Sequence, residues 1–327
     1  MSELRQNILT GDWVVVATER ARRPESFSRE PKVPVIEHLA GCPFCAGNES
    51  QTPPEVFALR PGGGPADAPG WEVRVVPNKY PAFRESADAK QEEPYRAMAA
   101  IGEHEVIIHG PDHDMTMAKM SVEHLAEVLS VYQLRLKDLA KRSPLVSAVI
   151  IVNQGREAGA SIEHPHSQLF ALPIVAPLVA RELARFSEFQ AEQGECPVCA
   201  MVRYERSHKE RLVTEDEDFL AFCPYASRAP FEVCVVPKEH QRDFSDTDPA
   251  RLRKAAATIK LVLERVHDRL GDPPYNLYLH TAPFSPDGDY HWRLTILPKI
   301  SVIAGFEFAT DIMINVVDPD AAAEFLR

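Results

Sequence analysis

Apolar and polar residues alternate along the chain with two different periods, and these periods predict its helices and strands. In residues 121–142, apolar side chains return at steps of three and four residues, which is typical of an amphipathic helix, and Ser121 can cap its first turn. A second helix is predicted to begin after Asp248, which is followed by a proline, and to end at Gly271. Residues 174–194 predict a further helix.

Short apolar runs bounded by Gly, Pro or polar residues predict strands. These runs are residues 13–17, 73–76, 104–109, 146–152, 219–223, 231–236, 276–280 and 290–297, and a further strand is predicted to begin near His164. Residues 31–70 contain many Pro and Gly residues, and we expect loops to dominate there.

The second half of the chain repeats the first. Two intervals are equal in both halves: eight residues for the pairs Glu105/His113 and Glu232/His240, and 51 residues for the pairs His113/His164 and His240/His291. Such self-similarity predicts a duplicated unit of strand, strand, helix, strand and strand. We therefore expect an α+β fold of two repeats, residues 1–175 and 176–327, that share an antiparallel sheet with helices packed on it.

The composition excludes several classes of protein. With 327 residues, 45% of them hydrophobic and 26% charged, the chain is long enough for two domains with cores of their own. No apolar run approaches the ~20 residues that cross a bilayer, and the first residues lack a signal-peptide pattern, so we expect a cytoplasmic protein with no membrane partner. The net charge of -12 and the absence of a long basic run argue against a nucleic-acid partner.

Four of the six cysteines form two Cys-x-x-Cys pairs, and matched histidines complete two predicted zinc sites. The ligand sets are Cys42, Cys45, His113 and His164 in the first half, and Cys196, Cys199, His240 and His291 in the second. Two thiolates and two imidazoles suit tetrahedral zinc. Four protein ligands leave no open position, which is typical of a structural metal.

A thioredoxin-like redox pair is the alternative interpretation of each Cys-x-x-Cys motif. Such a pair should open a helix, whereas these pairs lie in chain rich in Pro and Gly, so we favour zinc. Glu182 and His280 are further possible ligands near the second set, which leaves the composition of that set more open.

His164 and His166 lie close together on one predicted strand with a single residue between them, and we expect the two imidazoles to have different tasks. Two ordinary structural histidines are the alternative, but we expect His164 to bind metal and His166 to be free for chemistry. Neutral groups that can hold the oxygens of an anion lie close by in sequence: Asn153, Gly159, Ser161, Ser167 and Gln168. In the second half Arg293 matches His166, so one reactive site per chain is predicted.

Three arginines, Arg20, Arg22 and Arg23, form a local basic cluster in an acidic chain. Arginine is well suited to bind phosphate, and a solvated surface cluster is the alternative interpretation. An anionic substrate is therefore compatible with the overall negative charge.

Together these residues resemble the galactose-1-phosphate uridylyltransferase family, the nucleotidyltransferase branch of the histidine-triad superfamily. The resemblance covers nearly the whole chain and rests on the arginine cluster, the first Cys-x-x-Cys pair, Pro77-Asn78, Asn153 with Gly159-Ala160-Ser161, His164-Pro165-His166-Ser167-Gln168, and Gly305-Phe306-Glu307.

The resemblance implies a double-displacement reaction. The Nε2 atom of His166 would attack the α-phosphorus of a nucleoside diphosphate sugar and release sugar 1-phosphate, and a second sugar 1-phosphate would then take the nucleotidyl group from the histidine. The other ring nitrogen then needs a fixed partner, and we expect a backbone carbonyl of this loop. The resemblance also assigns a phosphoryl contact to Gln168, phosphate contacts to Ser161 and Ser167, and nucleotide or phosphate contacts to Asn78 and Asn153, with Gly159 in the same loop.

The resemblance further implies that part of the site comes from a neighbouring subunit. Arg20 and Arg23 match phosphate-binding arginines, and Glu307 matches a residue that accepts a hydrogen bond from a sugar hydroxyl; in the family these groups come from the partner. A homodimer is therefore expected. Fixed hydrogen-bond donors would stabilise the charge, so no catalytic magnesium is required.

Three departures from the family pattern bear on the substrate: Ser167 replaces a glycine, Arg293 replaces a histidine, and residues 304–315 resemble a branch that includes ADP-glucose phosphorylases. We favour transfer of UMP from UDP-glucose to galactose 1-phosphate. The alternatives are an adenylyltransferase or ADP-glucose phosphorylase of the same family, a hydrolase of the superfamily, and a non-catalytic zinc-stabilised nucleotide-binding module.

Overall fold

The computed structural model describes residues 2–17, 41–86, 88–90, 92–285 and 287–327. In these parts of the chain the strands are β1 (Glu3–Gln6), β2 (Trp13–Val16), β3 (Phe57–Leu59), β4 (Val73–Pro77), β5 (Glu103–Ile108), β6 (Ser147–Gln154), β7 (His166–Leu172), β8 (Leu212–Glu215), β9 (Phe219–Phe222), β10 (Val233–Pro237), β11 (Tyr275–His280), β12 (Arg293–Pro298) and β13 (Met313–Asn315). The α-helices are α1 (Val122–Leu139), α2 (Pro177–Gln193), α3 (Pro197–His208), α4 (Pro249–Leu270), α5 (Gly305–Thr310) and α6 (Pro319–Leu326).

One sheet of ten strands organises the molecule, in the order β3-β4-β5-β7-β6-β11-β12-β10-β9-β8. All neighbours in this sheet are antiparallel. Read outwards from the central pair β6 and β11, the two halves have the same connectivity, so the predicted α+β fold with a shared antiparallel sheet is confirmed. A small sheet, β1-β2-β13, joins the two ends of the chain. The division between residues 175 and 176 stays a prediction.

The strand register identifies the matching residues of the two repeats. Gln168 lies opposite Val106, and Thr295 lies opposite Cys234. The matched pairs that follow are His166 with Arg293, Gln168 with Thr295, Val106 with Cys234, and His104 with Glu232. The match of Glu232 with Glu105, predicted from equal intervals, was therefore wrong by one residue, because the connection from the strand to the next histidine is one residue shorter in the second half.

Helices α1 and α4 pack against each other on one face of the large sheet and form the main hydrophobic core with it. The predicted caps are confirmed: the Ser121 hydroxyl accepts a hydrogen bond from a backbone N–H of α1, and Asp248 caps α4, which ends at Gly271 with φ 70°. Leu169 of β7 belongs to this core. Because side chains alternate along a strand, His166 and Gln168 face the opposite side of the sheet.

The elements that the sequence patterns did not predict are β1, β3, β8, β13, α3, α5 and α6. Helix α3 begins directly after Cys196, with Pro197 at its first position, so the expectation that both cysteine pairs lie in loops was wrong for the second pair. Proline favours that helix position, and this signal could have found the helix. The predicted strand of residues 290–297 begins only at Arg293, and β7 begins at His166 rather than His164. Among the described helices, none is both long enough and apolar enough to cross a bilayer.

Candidate active site

The candidate nucleophile, His166, is the first residue of β7 and is 7% exposed. Its Nδ1 atom lies 2.7 Å from the backbone oxygen of His164. A carbonyl oxygen only accepts hydrogen bonds, so Nδ1 carries the hydrogen and Nε2 keeps its lone pair. Burial lowers the pKa of His166, and this backbone hydrogen bond opposes the effect. The expected backbone partner is thus confirmed, and the lowered pKa favours the neutral ring.

The first predicted ligand set is brought together next to this ring. One ligand atom from each of its four residues lies within 4.8 Å of the others: Cys42, Cys45, His113 and His164. The Nδ1 atoms of the two histidines are 3.4 and 3.6 Å from the Cys45 sulfur. The Nε2–H of His164 donates to the Gly110 carbonyl at 2.7 Å, which leaves Nδ1 free for a metal. The donor set fits a tetrahedral divalent ion.

The second predicted set, Cys196, Cys199, His240 and His291, meets the same distance limit. The Nδ1 atoms of His240 and His291 lie 3.5 and 3.6 Å from the Cys199 sulfur. The outer nitrogen of His291 donates to the Pro237 carbonyl at 3.0 Å, and that of His240 lies 3.0 Å from the Asp289 carboxylate. Both histidines therefore present Nδ1 to the thiols, and this set also fits a metal.

Glu182 and His280 do not join the second metal cluster. They surround Arg293, whose guanidinium forms an ion pair with the buried Glu182 carboxylate and donates to His280 Nδ1 at 3.2 Å. The Tyr290 hydroxyl donates to the same carboxylate. Their suggested role as additional metal ligands was therefore wrong, since the buried Arg293 guanidinium already contacts both groups and the metal cluster does not include them.

Gln168 lies on the same face of β7 as His166 and is half-buried. Its Oε1 atom is 2.9 Å from Nε2 of His104, and the Asn78 amide nitrogen lies 3.1 Å from that same ring atom. The structure thus brings two predicted site residues together around His104, which sequence reasoning missed. Phe44, between Cys42 and Cys45, makes an edge-type contact with the His166 ring at a centroid distance of 5.2 Å, and was missed too.

Ser167 does not face the candidate site, where a phosphate contact was predicted for it. Its side chain is fully buried on the helix face of the sheet, where its hydroxyl bonds to His109 and to the Tyr132 hydroxyl of α1. A phosphate contact through this hydroxyl is therefore excluded by geometry. The alternation of side chains along a strand was a sequence signal for this, because Ser167 stands between His166 and Gln168.

The loop between β6 and β7 carries the remaining predicted groups. The Asn153 oxygen accepts a hydrogen bond from the Asn276 amide at 2.8 Å, which ties the two central strands together. Gly159 has φ 96°, a conformation that side chains disfavour, and it lets the loop turn beside Asn153. Ser161 is exposed and lines a cavity of about 270 Å³ together with Cys42 and Arg156.

The predicted phosphate-binding residues Arg20 and Arg23 lie outside the described residues. Glu307 lies on α5, where its carboxylate accepts a hydrogen bond from the Ala304 N–H at 3.0 Å. Large apolar side chains around it are exposed, including Val302 at 90% and Phe308 at 79%.

Comparison with known proteins assigns the class of this fold and site. Residues 1–176 match the family described as galactose-1-phosphate uridyl transferase, N-terminal domain, and residues 182–300 match its C-terminal domain. The protein is a nucleotidyltransferase in class. It belongs to the galactose-1-phosphate uridylyltransferase family, as the motifs around His166 indicate.

Relatives with two different activities resemble the chain along its whole length. It is 32% identical to an ADP-glucose phosphorylase of Arabidopsis thaliana over 99% of this chain and 92% of that protein. It is 27% identical to a galactose-1-phosphate uridylyltransferase of Thermotoga maritima over 100% of this chain and 98% of that one. Among solved structures, an ADP-glucose phosphorylase from Arabidopsis thaliana with bound ADP-glucose has a TM-score of 0.85 at 31% identity, covering 100% of this chain and 99% of that one. A uridylyltransferase structure has a TM-score of 0.77 at 25% identity, covering 100% and 97%.

Proposed function

We propose that the protein transfers a nucleoside monophosphate from a nucleoside diphosphate sugar to a phosphate-bearing acceptor through a covalent adduct on His166. The observation that carries this proposal is the hydrogen bond from Nδ1 of His166 to the His164 carbonyl, at 2.7 Å. It keeps the ring hydrogen on Nδ1, so Nε2 retains the lone pair with which it can attack phosphorus.

The reaction proceeds in two in-line displacements. In the first, His166 Nε2 forms a bond to the α-phosphorus, and the bond from that phosphorus to the bridging oxygen breaks, so that sugar 1-phosphate leaves with the electron pair. In the second, an acceptor phosphate oxygen forms the new bond to phosphorus, and Nε2 recovers its lone pair. The His164 carbonyl steadies the ring when it becomes cationic in the intermediate, and the amide of Gln168 binds the phosphoryl oxygens.

Two donors are supported by different observations. The family assignment and the 27% identity to a galactose-1-phosphate uridylyltransferase favour UDP-glucose with galactose 1-phosphate as acceptor. The 32% identity to an ADP-glucose phosphorylase favours ADP-glucose with inorganic phosphate as acceptor. The chemistry on His166 is the same for both, because only the base and the acceptor differ.

Zinc is the metal that the two Cys2His2 sets suit best, and we propose one structural ion in each. Bound zinc would supply a tetrahedral crosslink and no reactive position. In the first set, His164 would serve both as a ligand and, through its carbonyl, as the support of the nucleophile. Burial raises the pKa of the Cys45 thiol to about 12, and a divalent cation would reverse this by binding the thiolate.

We also propose a homodimer in which Glu307, Arg20 and Arg23 act in the partner's site. The exposed apolar residues around α5 support this: Val302, Ile303, Phe306 and Phe308. Such a patch next to a residue matched to the family's sugar contact is typical of a subunit interface. None of the six cysteines, all of which lie in the described residues, forms a disulfide, and this fits the predicted cytoplasmic location.

The test is intact-protein mass spectrometry after incubation with UDP-glucose and, separately, ADP-glucose, quenched at alkaline pH where a phosphorus–nitrogen bond survives. A mass gain equal to UMP supports the uridylyltransferase, and a gain equal to AMP alone supports the adenylyl branch. No adduct with either donor would contradict covalent transfer. Release of free nucleotide without an acceptor, at the rate of transfer, would instead indicate a hydrolase.

A further inference from the structure

The imidazole of His104 lies on β5 between two residues of the candidate site. It is 7% exposed and stacks on Phe170, with ring centroids 4.0 Å apart and an angle of 25° between the planes. Its Nε2 atom is 2.9 Å from the Gln168 side-chain oxygen and 3.1 Å from the Asn78 side-chain nitrogen. A buried, stacked ring in this place has a fixed orientation, so the positions of its hydrogen-bond donor and acceptor atoms determine how the neighbouring amide groups are oriented.

The backbone fixes the tautomer of this ring. The N–H of Ala82 donates to His104 Nδ1 at 3.2 Å, so Nδ1 carries no hydrogen. Burial lowers the pKa of His104, which keeps the ring neutral, while the bond to Gln168 opposes this effect. The single ring hydrogen therefore lies on Nε2.

The Nε2–H of His104 needs a hydrogen-bond acceptor, and only one of its two neighbours, Gln168 and Asn78, can be that acceptor. The Gln168 oxygen can accept, whereas the Asn78 amide nitrogen is itself a donor, because the Asn78 oxygen is used by the N–H of Tyr80 at 2.8 Å. His104 thus donates to Gln168. The oxygen of that amide is held towards β5, and its NH2 group has to face the other way.

We propose that His104 is a positioning residue for nucleotidyl transfer, which holds the Gln168 amide with its NH2 group towards the phosphoryl group bound at His166. The two ends of a glutamine amide have nearly the same shape, so packing alone does not choose between them. The reversed amide would present an oxygen to an anionic phosphoryl group, which is repulsive. This inference rests on the proposed function and adds to it the residue that orients the phosphoryl contact.

The second repeat provides an internal comparison. At the positions of His104 and Gln168 it has Glu232 and Thr295, and at the position of the nucleophile it has Arg293. Glu232 accepts a hydrogen bond from the backbone N–H of Arg228. The histidine–glutamine pair is therefore present in the repeat that has the nucleophile, and at the matching positions of the other repeat it is replaced.

The decisive measurement is a double-mutant cycle on the rate of adduct formation in single turnovers with the donor that the wild type uses. His104→Phe keeps a flat ring on Phe170 and removes the donor, and we expect the rate to fall about 10- to 100-fold, the size found for residues that orient a functional side chain. Gln168→Ala should lower it about 100-fold or more. The dissociation constant of the donor should change less than threefold for His104→Phe, since the contact is made to the transferring group.

If His104 acts through Gln168, the double variant should be no slower than Gln168→Ala alone. His104→Gln places an amide N–H near the position of Nε2 and should recover most of the rate. Rates that multiply in the double variant, or a His104→Phe variant as fast as wild type, would overturn the proposal. Thermal unfolding of each variant shows whether a slower rate reflects a general loss of stability. A purely structural role of His104 predicts neither the recovery by glutamine nor the non-additive result of the cycle. A wild type that forms no adduct would refute the proposed function, and this inference with it.

Discussion

Arg293 occupies on β12 the place that His166 occupies on β7, and its guanidinium is paired with the carboxylate of Glu182. Both side chains are buried, with 4% and 1% exposure. Where the first repeat has a free imidazole, the second has a charge that is neutralised inside the protein. We therefore expect the loss of either partner of the Glu182–Arg293 pair to affect stability, and we expect the chemistry to remain with the first repeat.

Breaking this pair should destabilise the fold strongly. Glu182→Gln leaves the buried Arg293 charge without its partner, and we expect the free energy of unfolding in urea to fall by about 3–5 kcal/mol. Glu188→Gln on the same helix is the matched control, because Glu188 is 56% exposed in its ion pair with Arg185, and its loss should stay below about 1 kcal/mol. Equal losses in the two variants would contradict the buried-pair interpretation.

The same pair predicts a pH dependence of stability. Burial alone would raise the pKa of Glu182, but Arg293 and then His280 outweigh it and lower the pKa from 4.5 to about 2. A carboxylate whose folded pKa is depressed stabilises the fold fully above its unfolded pKa and loses this effect as pH falls through the folded value. The difference in unfolding free energy between wild type and Glu182→Gln should therefore be constant above about pH 5 and shrink below it. A difference that grows towards acid would have the wrong sign.

A residue's role could be predicted from the sequence when it follows from a short motif or from the repeat. It could not be predicted when it depends on which strands pair and in what register. The His-Pro-His-Ser-Gln motif was sufficient to single out the candidate nucleophile, and the matched Cys and His intervals were sufficient to single out two sets of residues that the fold brings together, since both follow from a short motif and a repeat. His104 could not be found in this way. Its contact with Gln168 depends on the register between β5 and β7, which are separated by a helix and a further strand.

Two errors have local physical reasons. Ser167 was grouped with its neighbours by sequence proximity, although alternation along β7 turns its hydroxyl to the opposite face, where it meets Tyr132. Glu182 was named as a further possible ligand near the second metal set. The fold instead places Arg293 beside it, and a cation in that place removes any need for a metal.

Replacing the nucleophile should abolish the adduct. His166→Asn has no nucleophilic ring nitrogen, so we expect no mass gain with either donor and a fall in kcat of about a thousandfold or more. His267→Asn is the control, because the side chain of His267 is 40% exposed and pairs with Asp272 near the end of α4. A His166→Asn variant that keeps full turnover would show that another group forms the bond.

The two metal sets should differ in what their loss does to catalysis. Cys45→Ser and Cys199→Ser should each lower the zinc content by one ion per chain and reduce thermal stability. Only Cys45→Ser should also lower kcat, about 10- to 100-fold, because His164 then no longer holds the His166 ring in place. Metal content by plasma mass spectrometry and kcat, both measured below the unfolding temperature, test this. Equal effects of Cys45→Ser and Cys199→Ser on kcat would show that the first metal set does not hold the His166 ring in place.

The proposed dimer predicts complementation between two inactive variants. Glu307→Ala should lower transfer about 10- to 100-fold through loss of a charged hydrogen bond to the sugar, and His166→Asn should be inactive. If Glu307 acts in the partner's site, a heterodimer of the two variants contains one complete site. Denatured and refolded together in equal amounts, they should then recover about a quarter of wild-type activity, because half of the dimers are mixed and each has one intact site of two.

The control for this complementation is the pair His166→Asn and Gln168→Ala. These residues share one strand of one chain, so no mixed dimer contains a complete site and no activity should return. Recovery in that control would indicate exchange of strands rather than a shared site. Failure of the Glu307→Ala and His166→Asn mixture to recover activity, with mixed dimers verified by mass spectrometry, would mean that Glu307 acts within its own chain or not at all.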